Sequence, residues 1–131
     1  MKDERMSFDE AANELYVADG YVNHRVIVFD RTTGQYKRHW GAYGKRPDDS
    51  YFTQAGERLP APFSGAVQHE NAPSQYDPKG PPPPQFRIVH SVRIANDGLV
   101  YVCDRTNDRI QVFRKDGSFV AEKFIARETL G

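Results

Sequence analysis

The chain has 131 residues, with 18 Lys and Arg against 18 Asp and Glu, so its formal net charge is zero and its length suits one modest domain. A neutral chain lacks the broad basic field that binding to a phosphate backbone needs, which argues against a nucleic-acid partner. The sequence contains neither the apolar core of a signal peptide nor a run of membrane-spanning length, so it predicts no membrane partner and leaves the compartment open. Cys103 is the single cysteine and excludes an intrachain disulfide.

The first predicted unit, residues 1–40, is a set of short antiparallel strands. Its segments are rich in β-branched and aromatic residues and are bounded by polar turns, one of which ends at Gly34. The predicted strands are Met6–Phe8, Leu15–Ala18, Val26–Asp30 and Gln35–Trp40. The innermost of them, Met6–Phe8, is short, so the first unit is predicted to have a truncated inner strand.

A proline-rich insertion, residues 41–86, follows the first unit. All nine prolines of the chain lie in it, including four in a row at Pro81–Pro84. Proline supplies no donor to a strand ladder, and a proline run favours polyproline II. We predict a long surface loop that five aromatic residues help to order: Tyr43, Tyr51, Phe52, Phe63 and Tyr76.

The second unit, residues 87–131, repeats the strand pattern of the first. Its predicted strands are His90–Ala95, Leu99–Cys103, Arg109–Arg114 and Ser118–Phe124. Asn96-Asp97-Gly98 is a strong turn signal between the first two of these strands, and Lys115-Asp116-Gly117 marks the last turn. The pattern therefore predicts a second four-stranded antiparallel sheet.

The two units share one motif, at Leu15–Phe29 and again at Leu99–Phe113, with one extra residue in the first hinge. The hinge residues that recur are Asp19, Asn23 and Arg25 in the first copy and Asp104, Asn107 and Arg109 in the second. A single active site would not need the Asp–Arg pair twice, so we interpret these six residues as structural. Repeated four-stranded units are typical of β-propeller blades, and each blade needs a neighbour on both faces.

The motif resembles the NHL repeat, the building unit of six-bladed β-propellers. More narrowly, Asp19-Gly20-Tyr21-Val22-Asn23-His24-Arg25, followed by Trp40-Gly41, is similar to a blade of peptidyl-α-hydroxyglycine α-amidating lyase. Phe86, Val89-His90-Ser91 and the hinge from Asp104 to Gln111 are similar to the next blade of that family. The fold class implied is all-β, with two blades of a partial propeller.

The resemblance also implies a chemistry. The family cleaves a C-terminal α-hydroxyglycine to a peptide amide and glyoxylate, holds zinc with three histidines from alternate blades and carries a calcium ion deeper in its channel. Tyr21 falls on its active-site tyrosine, His90 on a zinc histidine and Arg105 on a substrate-binding arginine. The remaining ligands belong to blades that this chain lacks. Val22 stands in place of a disulfide cysteine and Val89 in place of a proline.

Each of these residues has a structural alternative. His90 opens the innermost strand, where an imidazole can face the channel and bind zinc, but one histidine is not a site. Tyr21 could act as a base toward a substrate hydroxyl or could simply pack in its loop. Arg105 could bind a substrate carboxylate bidentately or could pair with a hinge aspartate. We expect His24, His39 and His69 to be solvated and Trp40 to cover the outer edge of its blade.

Two functions remain open from the sequence, beside a third possibility that the chain is a truncated fragment with no activity of its own. In the first, the chain contributes to a lyase-like zinc propeller that takes a peptide or small hydroxy-acid substrate, and an isolated pair of blades is inactive until further blades or further copies complete it. A homotrimer would place three His90 residues around one axis with the alternation of the family. In the second, the chain is a non-catalytic NHL propeller that binds a protein or peptide partner, with the proline-rich insertion as a recognition arm.

Overall fold

The chain forms two four-stranded antiparallel sheets in a computed structural model that describes residues 5–21, 23–48, 80–105 and 107–125. The first sheet, here called blade 1, comprises β1 (Met6–Asp9), β2 (Glu14–Asp19), β3 (Arg25–Asp30) and β4 (Tyr36–Trp40). Blade 2 comprises β5 (Ile88–Ile94), β6 (Val100–Arg105), β7 (Arg109–Phe113) and β8 (Phe119–Phe124). The strands follow one another in space as in sequence, which confirms the predicted all-β fold of two meandering blades.

The innermost strand of blade 2 differs from the prediction at its start. β5 begins at Ile88, two residues before the expected His90. Its pairing with β6 shifts between Val89 and Ser91, so His90 has no partner across the ladder and lies in a β-bulge. A bulge turns one side chain out of the regular alternation, and His90 is exposed.

The hydrophobic core lies between the two blades. Alternate residues of each strand point at the other blade, as expected for a period-two pattern with one buried face per sheet. The buried residues are Tyr16, Ala18, Val26, Val28, Trp40 and Ala42 on the blade 1 side and Phe86, Val89, Val92, Val100, Val102 and Phe113 on the blade 2 side. Each blade is therefore stabilised mainly by burying one face against the other.

Trp40 belongs to this core, and the prediction that it covers an outer edge is wrong. Its side chain is buried, and its ring lies 5.6 Å from the Phe113 ring and 6.3 Å from the Tyr16 ring, between centroids. The register of β4 explains the position, because Trp40 pairs with Val26 and so shares its face. Trp40 thus fills the space between the outer strands of the two blades.

The two backbones approach each other closely at Gly20. A Cβ atom at this position would overlap the backbone nitrogen, carbonyl carbon and carbonyl oxygen of Val89 in β5. Only glycine permits that approach, because the obstacle is backbone and not a side chain that could rotate away. The hinge of blade 1 is therefore held directly against the inner strand of blade 2.

An ion network around the buried carboxylate of Glu14 closes one end of the interface. Arg38 donates two hydrogen bonds of 2.8 Å to the carboxylate of Glu14 and one of the same length to the Tyr16 hydroxyl. Lys37 pairs with Glu14 at 2.6 Å, and Arg38 also reaches the carbonyl oxygen of Lys115 in blade 2. Hydrogen bonding to Arg38 is the main reason that the pKa of Glu14 falls to about 2.

The proline-rich insertion is described only at its two ends. Tyr43, one of the aromatic residues expected to order it, donates from its backbone nitrogen to Gln111 and from its hydroxyl to Glu122, at 2.9 and 2.8 Å. The other four, Tyr51, Phe52, Phe63 and Tyr76, lie outside the described residues, as does His69. Over the described ranges, the structure contains no helix with the length and apolar character that a membrane crossing requires.

Candidate functional site

The hinge of blade 2 is built around the buried carboxylate of Asp104. Its Oδ1 accepts hydrogen bonds from the backbone nitrogens of Arg87 and Ile88, at 2.8 and 3.1 Å. Its Oδ2 accepts from Asn107 Nδ2 at 2.8 Å and from Arg109 Nε at 2.9 Å. Complete burial raises the pKa of this carboxyl, while the Arg109 guanidinium and the other donors favour its charged form. The aspartate therefore ties the start of β5 to the hinge that joins β6 and β7.

Arg109 connects this hinge to the end of the insertion. Its guanidinium donates to the carbonyl oxygens of Pro83 and Gln85, at 2.7 and 2.9 Å, and lies 5.4 Å from the centre of the Tyr43 ring. Burial raises the pKa of Tyr43 to about 12, so its hydroxyl remains protonated and can donate to Glu122. The buried charge of Arg109 is thus compensated by Asp104, by Glu122 at 3.6 Å and by two carbonyl oxygens.

The hinge of blade 1 has the same geometry in a more open setting. Asp19 Oδ2 accepts from Asn23 Nδ2 at 3.0 Å and from Arg25 Nε at 2.8 Å. The Arg25 and Asp19 side chains are 30% and 28% exposed, whereas both side chains of the Arg109–Asp104 pair are fully buried. The recurring aspartate, asparagine and arginine thus form the same contacts in each blade, at different depths.

Three of the sequence-predicted site residues lie close together beside these hinges. The Tyr21 ring, in the hinge of blade 1, meets the His90 ring edge to face at 6.5 Å between centroids. His90 and Arg105 line one pocket of about 230 Å³ on blade 2. The site therefore spans both blades. Gly20, which precedes Tyr21, packs on the backbone of Val89, which precedes His90, and this contact brings the two rings together.

The pocket includes residues that the sequence did not single out as functional. Beside His90 and Arg105 it is lined by Cys103, Asp104, Asp108, Arg109, Ile110 and Ile125. Asp108 has a left-handed backbone with φ of 51°, a conformation that aspartate tolerates better than most residues. Its place in the second hinge was visible in the sequence, but its shared surface with His90 depends on the bulge in β5.

A zinc site does not form from the described residues alone. Nowhere in the described ranges do three or more His, Cys, Asp or Glu side chains converge as ligands of one ion. His90 is exposed and suits a single ligand position, whereas zinc sites use three or four protein ligands. The donor set of this pair of blades is therefore insufficient for the metal that the resemblance implies.

Two of the other histidines are described, and one contradicts its prediction. His24 is completely buried, and its Nδ1 lies 3.1 Å from the Arg87 carbonyl oxygen, so the Nδ1 atom carries the proton and donates. Burial lowers the pKa of His24 to about 4. His39 is half-buried on β4 and forms a 2.6 Å hydrogen bond with the Tyr36 hydroxyl.

The hinge geometry and the two four-stranded sheets are consistent with blades of a partial propeller, and comparison with known proteins finds similarity to one kind of repeat. Residues 86–113 match the family model of the NHL repeat. This match spans most of blade 2, including Asp104, Asn107 and Arg109. The NHL resemblance inferred from the sequence is thereby confirmed.

Two curated relatives come from Xenopus laevis. They are peptidyl-glycine alpha-amidating monooxygenase B and peptidyl-glycine alpha-amidating monooxygenase A, each 29% identical to this chain over 119 residues that cover 89% of it. The matched region is 10% of the length of the first relative and 9% of the second. The chain thus spans about a tenth of these relatives and is similar to one region of them.

Proposed function

We propose that this chain supplies two blades of a lyase that cleaves peptidyl-α-hydroxyglycine to a peptide amide and glyoxylate. The observation that carries the proposal is the convergence of Tyr21, His90 and Arg105, since these three positions match functional residues of the amidating lyase family. The NHL repeat and the similarity to two amidating enzymes support the same class of propeller. The proposal extends that class to a reaction and assigns a role to each residue.

Arg105 is proposed to bind the carboxylate of the substrate. It ends β6, its side chain is exposed, and it lines the pocket beside His90. A guanidinium can hold a carboxylate through two parallel hydrogen bonds, which fixes the orientation of the adjacent carbon as well as the charge. This contact would select a peptide that ends in α-hydroxyglycine over the amide product, which has no carboxylate.

Tyr21 is proposed to move the proton of the reaction. As a base it would take the proton from the substrate hydroxyl, the C–O bond would become the carbonyl of glyoxylate, and the C–N electron pair would leave with the amide nitrogen. That nitrogen then takes up one proton, so atoms and charge balance without any redox change. Tyr21 is half-buried, and its ring lies beside the ring of His90, which lines the proposed substrate pocket.

His90 is proposed as one zinc ligand of a complete propeller. A bound zinc ion would polarise substrate oxygens as a Lewis acid. The bulge at His90 directs its imidazole away from the interior of blade 2, and the remaining ligands would come from other blades. Calcium is expected to depend on other blades too, so no residue of this chain is assigned to it.

The test combines metal analysis, peptide binding and glyoxylate release. A propeller in which further blades or further copies complete this chain is loaded with zinc, dialysed and analysed for bound metal, beside His90→Ala and the control His39→Gln. Zinc that His90→Ala loses and His39→Gln retains supports the ligand assignment. Calorimetry then compares the affinity for a peptide that ends in a glycine carboxylate with the affinity for the corresponding amide. Arg105→Gln should abolish any preference for the acid.

Catalysis is measured on the zinc-loaded propeller with an acylated α-hydroxyglycine. Glyoxylate release that Tyr21→Phe abolishes, with peptide binding intact, supports the proposed base. If the completed propeller retains no metal and binds the acid and amide peptides equally, the lyase proposal fails. Saturable binding of a protein or peptide without either property would instead support the non-catalytic NHL propeller.

A further inference from the structure

Each blade buries one face against the other blade and leaves its second face uncovered. On blade 1 the uncovered face includes Phe8 and Met6, which are 54% and 41% exposed. The strand register places six apolar residues on this face: the exposed Met6 and Phe8, the half-buried Leu15, Val17 and Phe29, and Ile27, which is 8% exposed. An apolar face of this kind on a sheet normally lies against another layer of structure.

The uncovered face of blade 1 matches the buried face of blade 2, position for position. In the common register, Leu15 corresponds to Val100, Val17 to Val102 and Phe29 to Phe113. Val100, Val102 and Phe113 are completely buried against blade 1. The inner strands agree as well, because Met6 corresponds to Val92 and Phe8 to Ile94. Blade 1 thus carries on its outer side the same surface that blade 2 uses to pack onto blade 1.

The converse holds for the uncovered face of blade 2. Its half-buried residues Tyr101, Cys103, Ile110 and Val112 share one face in the strand register. They occupy the positions of Tyr16, Ala18, Val26 and Val28, which form the buried surface of blade 1. The uncovered face of blade 1 therefore corresponds to the buried face of blade 2, and the uncovered face of blade 2 corresponds to the buried face of blade 1.

We propose that a second copy of this chain covers these faces, with the outer face of its blade 1 packed against the outer face of blade 2 in the first copy. One chain carries both halves of such an interface, so the contact is head to tail, and its repetition closes a ring where the rotation allows. Three copies provide the six blades expected of an NHL propeller. The proposal rests on the blade faces alone and stands or falls independently of the lyase chemistry.

The interface between copies differs from the interface within a chain at two positions. Arg105 occupies the position of Gly20, so the next inner strand cannot approach as closely as Val89 approaches Gly20. Lys123 occupies the position of Trp40, so no indole fills the space between the outer strands. The ring would alternate tight interfaces within chains and wider interfaces between chains, and Arg105 and the pocket beside His90 would open into each wider one.

The test is the mass of the chain in solution, measured by light scattering on a size-exclusion column. We expect three times the 15.0 kDa of one chain. Leu15→Lys on the outer face of blade 1 and Val112→Lys on the outer face of blade 2 should each give monomers. Mixing these two variants should give dimers that do not grow further. The intact blade 1 face of Val112→Lys can pack on the intact blade 2 face of Leu15→Lys, and the two altered faces then remain unpaired.

Controls separate loss of assembly from loss of folding. Gln35→Lys adds the same charge in an exposed turn and should remain trimeric. Far-ultraviolet circular dichroism of the two face variants should retain the sheet signal of the unmodified chain. A folded monomeric chain would overturn the proposal and would indicate that something else, such as further blades of a longer polypeptide, covers the faces. A dimer that persists in Val112→Lys alone would overturn it too, since that result requires a symmetric contact.

Discussion

At the scale of single residues, Gly20 fixes how closely the two blades approach. Its substitution Gly20→Ala would force Val89 and the inner strand of blade 2 away from the hinge, because a Cβ atom overlaps their backbone. We expect a loss of at least about 2 kcal/mol in the free energy of unfolding, measured by urea denaturation. Gly34→Ala is the control: it has open space and a φ of 75°, so only backbone strain of about 1 kcal/mol is expected. Equal losses at both sites would contradict this account of Gly20.

His24 makes the stability of the fold depend on pH. Burial lowers its folded-state pKa to about 4, below the ordinary value of 6.5, so the folded chain favours the neutral ring. The unfolded chain binds the proton first as pH falls, and stability should therefore decline from about pH 6.5 to about pH 4, by on the order of 3 kcal/mol. The measurement is the free energy of unfolding as a function of pH.

The variant His24→Gln separates this effect from other titrations. It should flatten the stability profile between pH 6.5 and 4 and leave the decline at lower pH, where Glu14 with its pKa of about 2 takes up a proton. Hydrogen bonding to Arg38 lowers the pKa of Glu14, so its contribution is lost only as pH falls below the ordinary value of 4.5. An unchanged profile in His24→Gln would show that another group is responsible.

At the scale of elements, the two hinges provide a matched pair of ion pairs. Asp104→Asn removes the nearer counter-charge of the fully buried Arg109 guanidinium and leaves only Glu122, at 3.6 Å, and we expect it to destabilise the fold by about 3 kcal/mol. Asp19→Asn makes the same change where both partners are partly exposed, and about 0.2–1 kcal/mol is expected. Urea denaturation of both variants gives the comparison. Similar losses would mean that the depth of the hinge does not set its contribution.

The strands themselves were largely predictable from the sequence. Short β-branched and aromatic segments between turn residues determined all eight strands, most of them within two residues of their observed bounds. The repeat identified the hinge residues because their spacing recurs. The bulge at His90 did leave a trace in the sequence, because the adjacent polar residues His90 and Ser91 interrupt the alternation between Val89 and Val92, which both belong to the core.

The contacts between the blades were the least predictable part. His24 lies in a polar hinge segment, and nothing local indicates that Arg87 and its carbonyl oxygen bury it. Trp40 did carry a signal, because it alternates in phase with Arg38 and so belongs to the inner face of β4. Tyr21, His90 and Arg105 could be named only through the resemblance, and their proximity depends on how Gly20 packs on β5.

At the scale of the whole molecule, the two blades should unfold together. Their core lies between them, so neither blade retains its buried face when the other opens. Trp40, the single tryptophan of the chain, lies in that interface, and its fluorescence should report on the contact between blades. We expect the fluorescence and far-ultraviolet dichroism curves to coincide in urea. A fluorescence change that precedes the loss of sheet signal would mean that the blades separate before they unfold.

The two ends of the proline-rich segment are fastened to each other as well as to blade 2. The backbone nitrogen of Asp48 donates to the Gln85 side-chain oxygen at 3.0 Å, and the Gln85 carbonyl oxygen accepts from Arg109. This junction therefore fixes the distance between the two ends of the segment, whatever the length of the polypeptide that joins them. A foreign peptide or a small domain whose termini lie close together could be grafted between Asp48 and Pro83, which keeps the Pro83 carbonyl oxygen that accepts from Arg109.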